Sequence, residues 1–179
     1  MPAEFEFLDW LQQFRTLVMD AVAVFFNDYG EHAQIWIALT LVLLALRKTR
    51  KAGISMAFAL IMYLVVGDYI LKPIFNRPRP CDVNTAMTIL VARPGGSSFP
   101  SGHTASAFAA SVALYLYHRR AGIAALAVSA FIGFTRMYLY VHFPSDVAAG
   151  VVLGIALGFA AKYLAELAIK HSNKLQSIV

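Results

Sequence analysis

The chain is poor in two things that stabilise and solubilise small water-borne domains. A single cysteine, Cys81, excludes an intrachain disulfide and leaves stability to helix packing. Only 14% of the 179 residues are charged, against 59% hydrophobic, and mean hydropathy is +0.64. One aqueous core cannot hide that much apolar surface in so small a domain, so the bilayer has to serve as part of its solvent. Disorder is excluded by the same imbalance, because disordered chains are apolar-poor and charge-rich. The N-terminus also lacks the basic start, short apolar core and small-residue cleavage site of a removable signal peptide, so the mature helices are expected to direct insertion.

What is present in abundance is apolar sequence at membrane-span length. Five stretches qualify, 31–46, 52–71, 102–117, 121–139 and 147–169, each approaching the roughly 20 residues that cross about 30 Å of hydrocarbon. Segment 5–26 differs: Glu6, Asp9, Gln12, Gln13, Arg15 and Asp20 interrupt it while Phe7, Leu11, Phe14, Val18, Val22 and Phe25 recur at helical spacing. That pattern describes an amphipathic interfacial helix, with a sixth span turning its polar face inward as the alternative. The expected fold is therefore all-α, an integral membrane helical bundle of five spans plus an N-terminal amphipathic helix, or six spans. Its divisions are 1–30 as that helix or first span, 31–171 as the membrane-embedded domain, and 172–179 as a cytoplasmic tail.

Charge asymmetry orients the bundle. Arg47, Lys48, Arg50 and Lys51 join the first two spans, His118, Arg119 and Arg120 join the third and fourth, and Lys162, Lys170 and Lys174 follow at the tail. A five-span antiparallel count puts all of these on one side, which the positive-inside rule makes cytoplasmic. The remaining loops then face outward, across a cell (plasma or inner) membrane. In the last span Gly150, Gly154 and Gly158 recur every four residues and bare one helical face. Packing within the chain is the default use of such a stripe, homodimerisation the alternative.

Nearly every residue with chemical potential falls on the outward side. Lys72, Arg79 and Arg136 stand at or near helix ends, where positive charge is disfavoured by topology and calls for an anionic partner. Arginine's planar fork and lysine's compact charge suit a phosphate, so the expected partners are a lipid phosphate or diphosphate and membrane lipids, with no nucleic acid. Pro100-Ser101-Gly102-His103 reads as a helix N-terminus whose free N–H groups, Ser101 hydroxyl and bare Gly102 could cradle phosphate oxygens. His142 followed by Asp146 across Phe143-Pro144-Ser145 can form a pair in which the carboxylate fixes the imidazole tautomer and leaves the other nitrogen as base or nucleophile. A metal on His103, His142 and Asp146 is disfavoured, since three converging cations would repel it and already neutralise a phosphate. No cofactor is expected.

The combination of Lys72 with Arg79-Pro80 after six residues, Pro100-Ser101-Gly102-His103, and Arg136 with His142 and Asp146 resembles the phosphatidic acid phosphatase type 2 superfamily. The likeness spans roughly residues 52–160, with Thr135 standing where the family often has serine. It implies a metal-independent phosphohydrolase in which His142 attacks phosphorus to form a phosphohistidine, Asp146 orients it and His103 protonates the leaving oxygen. It further implies that Lys72, Arg79, Ser101, Gly102 and Arg136 hold the phosphoryl group, leaving Arg77 and Arg93 as headgroup contacts. The compact chain resembles the short bacterial undecaprenyl-diphosphate phosphatases of that superfamily. The substrate expected is a polyprenyl diphosphate, with phosphatidylglycerophosphate or phosphatidic acid as alternatives. A lipid-phosphate transporter or flippase is the alternative of another class, for which intramembrane Asp68 would matter.

Overall fold

The computed structural model describes residues 2–30 and 33–176, with side chains as far as His171; the end of the expected tail, 177–179, lies outside the described residues. The fold is all-α. In chain order the helices are α1 (Pro2–Gln12), α2 (Leu17–Asp28), α3 (Gln34–Ala45), α4 (Arg50–Tyr63), a π-helix (Leu64–Leu71), α5 (Lys72–Phe75), α6 (Pro80–Val83), α7 (Gly102–Tyr115), α8 (Arg119–Tyr138) and α9 (Pro144–Gln176).

Three helical runs, Arg50–Val83, Arg119–Tyr138 and Pro144–His171, are long and apolar enough to cross a membrane. The chain is a multi-pass membrane protein. Helix α3 has 12 residues and α7 has 14, which at 1.5 Å per residue reach only about 20 Å. For α7 the short length has a clear consequence, because it is the interior helix, packed against α9, α8 and α4 rather than against lipid. Its sequence suits that place: Ala105, Ala107, Ala109, Ala110 and Ala113 are fully buried, and the Ser111 hydroxyl pairs with that of Ser129 on α8 at 2.8 Å. Large apolar side chains such as Leu41, Val152 and Phe159 are turned outward, as the hydrocarbon permits.

The glycine stripe of α9 faces α7. A Cβ at Gly150 would lie 2.9 Å from the Ser101 carbonyl oxygen, one at Gly154 2.6 Å from that of Ala105, and one at Gly158 2.6 Å from Val112 Cβ. The stripe is consumed inside the chain, which removes the reason for homodimerisation through it.

The N-terminal segment departs from the single helix expected over 5–26. It breaks at 13–16, where Thr16 caps α2 by accepting a hydrogen bond from Met19 N at 3.2 Å. Helix α1 buries Leu8 and Leu11 against Tyr138, Leu139, Val141 and Phe143, beside the link from α8 to α9. Trp10, Phe14, Leu17, Val18 and Phe25 stay exposed, giving this segment an apolar outer face.

At the opposite end Lys51, Tyr117, Glu166 and Lys170 line one small pocket, so the basic loops and the end of α9 share a face. The segments 72–101 and 139–146 close the other face.

Candidate active site

His142 sits in the short link between α8 and α9 and is 3% exposed. Its Nδ1 lies 2.8 Å from the Ser98 carbonyl oxygen. A carbonyl can only accept, so Nδ1 carries the proton and Nε2 presents its lone pair. Burial first, then the charges of Arg79 and Arg136, hold the imidazole pKa down at about 4 against the pull of Asp146. At neutral pH the ring is uncharged, with a basic lone pair on Nε2.

Asp146, fully buried in the first turn of α9, does not orient His142 by the direct hydrogen bond that the sequence suggests. Its Oδ2 is 3.7 Å from His142 Nδ1 and accepts instead from Ser98 Oγ at 2.5 Å and Phe143 N at 2.8 Å. The physical reason is geometric: Ser98 brings its carbonyl to the imidazole and its hydroxyl to the carboxylate. Asp146 thus works partly through Ser98, and stands near enough to stabilise positive charge on the ring.

The three expected cations converge around a cavity of about 1070 Å³, whose lining includes Lys72, Arg79, Gly102, His103, Arg136 and His142. Arg79 Nη1 lies 3.1 Å from His142 Nε2 and donates to the Val141 carbonyl at 3.1 Å. Arg136 reaches back to Asn27 Oδ1 at 2.9 Å and to Thr135 Oγ1 at 3.2 Å, so the Thr135 hydroxyl acts by supporting the guanidinium. Lys72 Nζ pairs with Asp68 Oδ1 at 2.6 Å, and the same oxygen accepts from Tyr63 Oη at 2.7 Å. Asp68 is therefore a partner of the site's lysine. The π-helix makes this trio, since its wider turn stacks residues five apart and brings Tyr63 over Asp68.

His103, in the first turn of α7, is buried in the cavity wall, and its Nε2 lacks a hydrogen-bond partner among the described residues. A buried ring nitrogen left open in this way suits a proton exchange with something that enters the cavity. Two motif residues take other places than expected. Ser101 is fully buried, with its hydroxyl 2.9 Å from Thr104 Oγ1, and does not line the cavity. Gly102 makes room for protein rather than directly for an anion: a Cβ there would lie 2.4 Å from Tyr63 Oη and 3.2 Å from Lys72 Nζ.

Arg77, expected to meet lipid headgroups, instead turns inward. It donates to Asp146 Oδ1 at 2.6 Å and Glu4 Oε2 at 2.9 Å, and its guanidinium lies 4.2 Å over the Phe143 ring. Arg93 stays more exposed, donating to the Cys81 carbonyl and lining the cavity mouth. Sequence reasoning missed Ser98, Tyr63, Asn27 and Glu4. The only local signal was the serine pair beside the phenylalanine-proline step at 97–100.

From this wall the cavity runs between α3 and α4, past Ile37, Leu41, Leu44, Leu60, Ile61 and Leu64. It joins a cationic head to an apolar channel.

Residues 51–170 match the PAP2 superfamily. Over 142 residues the chain is 31% identical to undecaprenyl-diphosphatase BcrC of Bacillus subtilis, covering 79% of this chain and 72% of that one. It is 34% identical over 143 residues to decaprenylphosphoryl-5-phosphoribose phosphatase of Mycobacterium tuberculosis, covering 78% and 77%. Among solved structures, the transmembrane PAP2 type phosphatidylglycerolphosphate phosphatase from Bacillus subtilis shares the fold with a TM-score of 0.75 at 24% identity, over 92% of this chain and 85% of that one. Aquifex aeolicus LpxE gives a TM-score of 0.69 at 26% identity, over 88% and 93%.

Proposed function

The chain belongs to the PAP2 superfamily, and we propose that its substrate is a polyprenyl diphosphate, cleaved to the polyprenyl phosphate and inorganic phosphate through a phosphohistidine on His142. It is a membrane lipid phosphatase, and the transporter alternative falls with that. The observation that carries the finer reading is the continuity of one cavity: a head lined by Lys72, Arg79, His103, Arg136 and His142, and an apolar channel between α3 and α4. The diphosphate belongs in the first and the first isoprene units in the second. Relatives whose names specify undecaprenyl and decaprenyl lipids support the same class.

In the proposed reaction Lys72, Arg79 and Arg136 take the oxygens of the terminal phosphoryl group, with Gly102 leaving Lys72 and Tyr63 their places beside it. His142 Nε2 attacks phosphorus in line, and the bond to the bridging oxygen breaks with its electron pair on that oxygen, which leaves as the polyprenyl phosphate. His103 supplies a proton to the departing oxygen and takes one from the water that then attacks the phosphohistidine, releasing phosphate and restoring His142. The ring is cationic while phosphorylated, and Asp146 at 3.7 Å offsets that charge. Positioning and fixed charge supply most of the catalysis. The site is assigned to the extracytoplasmic face of the cell membrane, opposite the basic loops at 47–51 and 118–120.

The test is a substrate panel on purified protein: undecaprenyl diphosphate, shorter prenyl diphosphates, phosphatidylglycerophosphate and phosphatidic acid. Highest kcat/KM for the long prenyl diphosphate, with acid-labile, base-stable phosphoenzyme lost in His142→Ala, is expected. Preference for phosphatidylglycerophosphate or phosphatidic acid would overturn the substrate, and phosphoenzyme persisting in His142→Ala would overturn the nucleophile.

A further inference from the structure

Helix α1 lies outside residues 51–170, yet one of its side chains is linked through Arg77 to the His142 and Asp146 pair. Glu4 Oε2 accepts from Arg77 Nη2 at 2.9 Å, while Oε1 accepts from Ser145 N at 3.1 Å and Ser145 Oγ at 2.6 Å. The other arm of Arg77 donates to Asp146 Oδ1 at 2.6 Å and Ser145 Oγ at 2.7 Å. From Asp146 the connection continues through Ser98 to His142 Nδ1. An unbroken polar path thus joins α1 to the nucleophile.

We propose that Glu4 is a positioning residue for the phosphatase reaction, its carboxylate fixing Arg77 and the first turn of α9 so that Asp146 is held, with its charge available, against His142. The proposal rests on the reading of His142 as nucleophile.

Two effects combine. Geometrically, a guanidinium held by one carboxylate can tip about that contact, and a second carboxylate on its opposite nitrogen fixes its plane. Glu4 also accepts the first free N–H of α9, 141 residues away, doing for Ser145 what a cap residue does locally. Electrostatically, Arg77 shared between two carboxylates neutralises Asp146 less than Arg77 bound to Asp146 alone. More negative charge then remains to offset the phosphorylated imidazole. Burial would raise the Glu4 pKa, but hydrogen bonds from Ser145 and the adjacent Arg77 charge outweigh it and hold the carboxyl below its usual range. It is ionised at neutral pH.

Docking of α1 does not depend on this carboxylate alone. Gln12 Nε2 donates to the Tyr138 carbonyl at 3.0 Å, Tyr140 Oη donates to Asp9 Oδ1 at 2.7 Å, and Phe5 packs edge-on to Phe143 with centroids 5.2 Å apart. Glu4→Gln, which keeps size and one accepting oxygen, therefore separates positioning from docking.

The experiment compares Glu4→Gln, Arg77→Gln, their double variant and Asp9→Asn in detergent-purified full-length protein. Glu4→Gln is expected to lower kcat roughly tenfold to a hundredfold, with KM within twofold, the scale of a small misplacement transmitted from outside the chemistry. In the Arg77→Gln background its effect should be clearly smaller than in wild type, because only the arm to Ser145 remains to be lost. Asp9→Asn should lower thermal stability while leaving kcat unchanged. Unchanged kcat in Glu4→Gln, full additivity with Arg77→Gln, or an equal kcat loss in Asp9→Asn would overturn the proposal. Phosphoenzyme trapping on wild type runs alongside: its absence would overturn the His142 reading, whereas the kcat cycle judges Glu4 independently.

Discussion

Asp146→Asn is the substitution whose consequence can be worked most directly from the geometry. The amide is isosteric, and its remaining oxygen can still accept from Ser98 Oγ and Phe143 N, so the link carrying His142 keeps its shape. What is lost is one negative charge 3.7 Å from His142 Nδ1, together with the Arg77 hydrogen bond to Oδ1, whose place the amide nitrogen takes. Coulomb's law at that separation, with an effective dielectric near 20, gives roughly 4 kcal/mol in favour of a cationic ring. Arg77 on the same carboxylate reduces the figure, so the expected loss in kcat is about a hundredfold to a thousandfold. The neutral ring gains nothing from the charge, so substrate binding should hold. Rapid-quench measurement of phosphoenzyme formation and decay, beside steady-state kcat and KM, reads both. The sign of the pH dependence is a further check. His142 titrates at about 4, so wild-type kcat/KM should show no acid loss from this group until the pH falls toward that value. Removing an anion disfavours the protonated ring and moves that limb to still lower pH. A variant with kcat within threefold of wild type, or an acid limb moved upward, would refute the reasoning.

Other contacts in the structure carry expected outcomes of their own. Gly102→Ala places a methyl 2.4 Å from Tyr63 Oη, so kcat/KM should fall about tenfold or more and recover in part when Tyr63→Phe removes the hydroxyl. Gly154→Val forces a side chain into the Ala105 carbonyl and Phe108, and melting of the purified protein should show destabilisation of at least 1–3 kcal/mol without any change in oligomeric state. In a Cys81→Ala background, cysteine at Val83 should be labelled by an impermeant reagent from outside intact cells and cysteine at Thr49 should not; the reverse pattern would invert the assigned sidedness.

The helical membrane architecture was legible because it rests on properties local in sequence. Apolar runs of span length mark α4, α8 and α9, and the small residues of 102–115 and 150–158 announce close packing, though not that α7 would be the helix enclosed by the others. The same holds for the site. Lys72, Arg79, His103, Arg136 and His142 were recognisable from fixed short spacings, and all line one cavity. What escaped is joined across long stretches of chain: Glu4 to Ser145, Asn27 to Arg136, and Arg77 to Asp146. No periodicity encodes such pairs, and the charge of Arg77 near a membrane face pointed equally well to a headgroup. The π-helix escaped for another reason, since the hydropathy of 64–71 fits an α-helix equally. Gly67, where a Cβ would collide with the Tyr63 ring, leaves the room that this ring takes beside the widened turn.

The cations themselves explain why the missing partners had to exist. Three positive side chains in a water-poor wall at a membrane face would be costly if left unpaired. In the structure each has a partner: Lys72 has Asp68, Arg136 the neutral amide of Asn27, and Arg79 His142 Nε2 and backbone carbonyls. Those partners differ in strength. Neutral acceptors are given up readily for a charged oxygen, whereas Asp68 competes with the phosphoryl group for Lys72 as one carboxylate against another anion. The Arg79 contact carries a second consequence, because it occupies the lone pair that attack requires. In the reaction we propose, a phosphoryl oxygen that draws Arg79 to itself would free His142 Nε2 in the same movement, so that binding the group to be transferred and exposing the nucleophile would become one event.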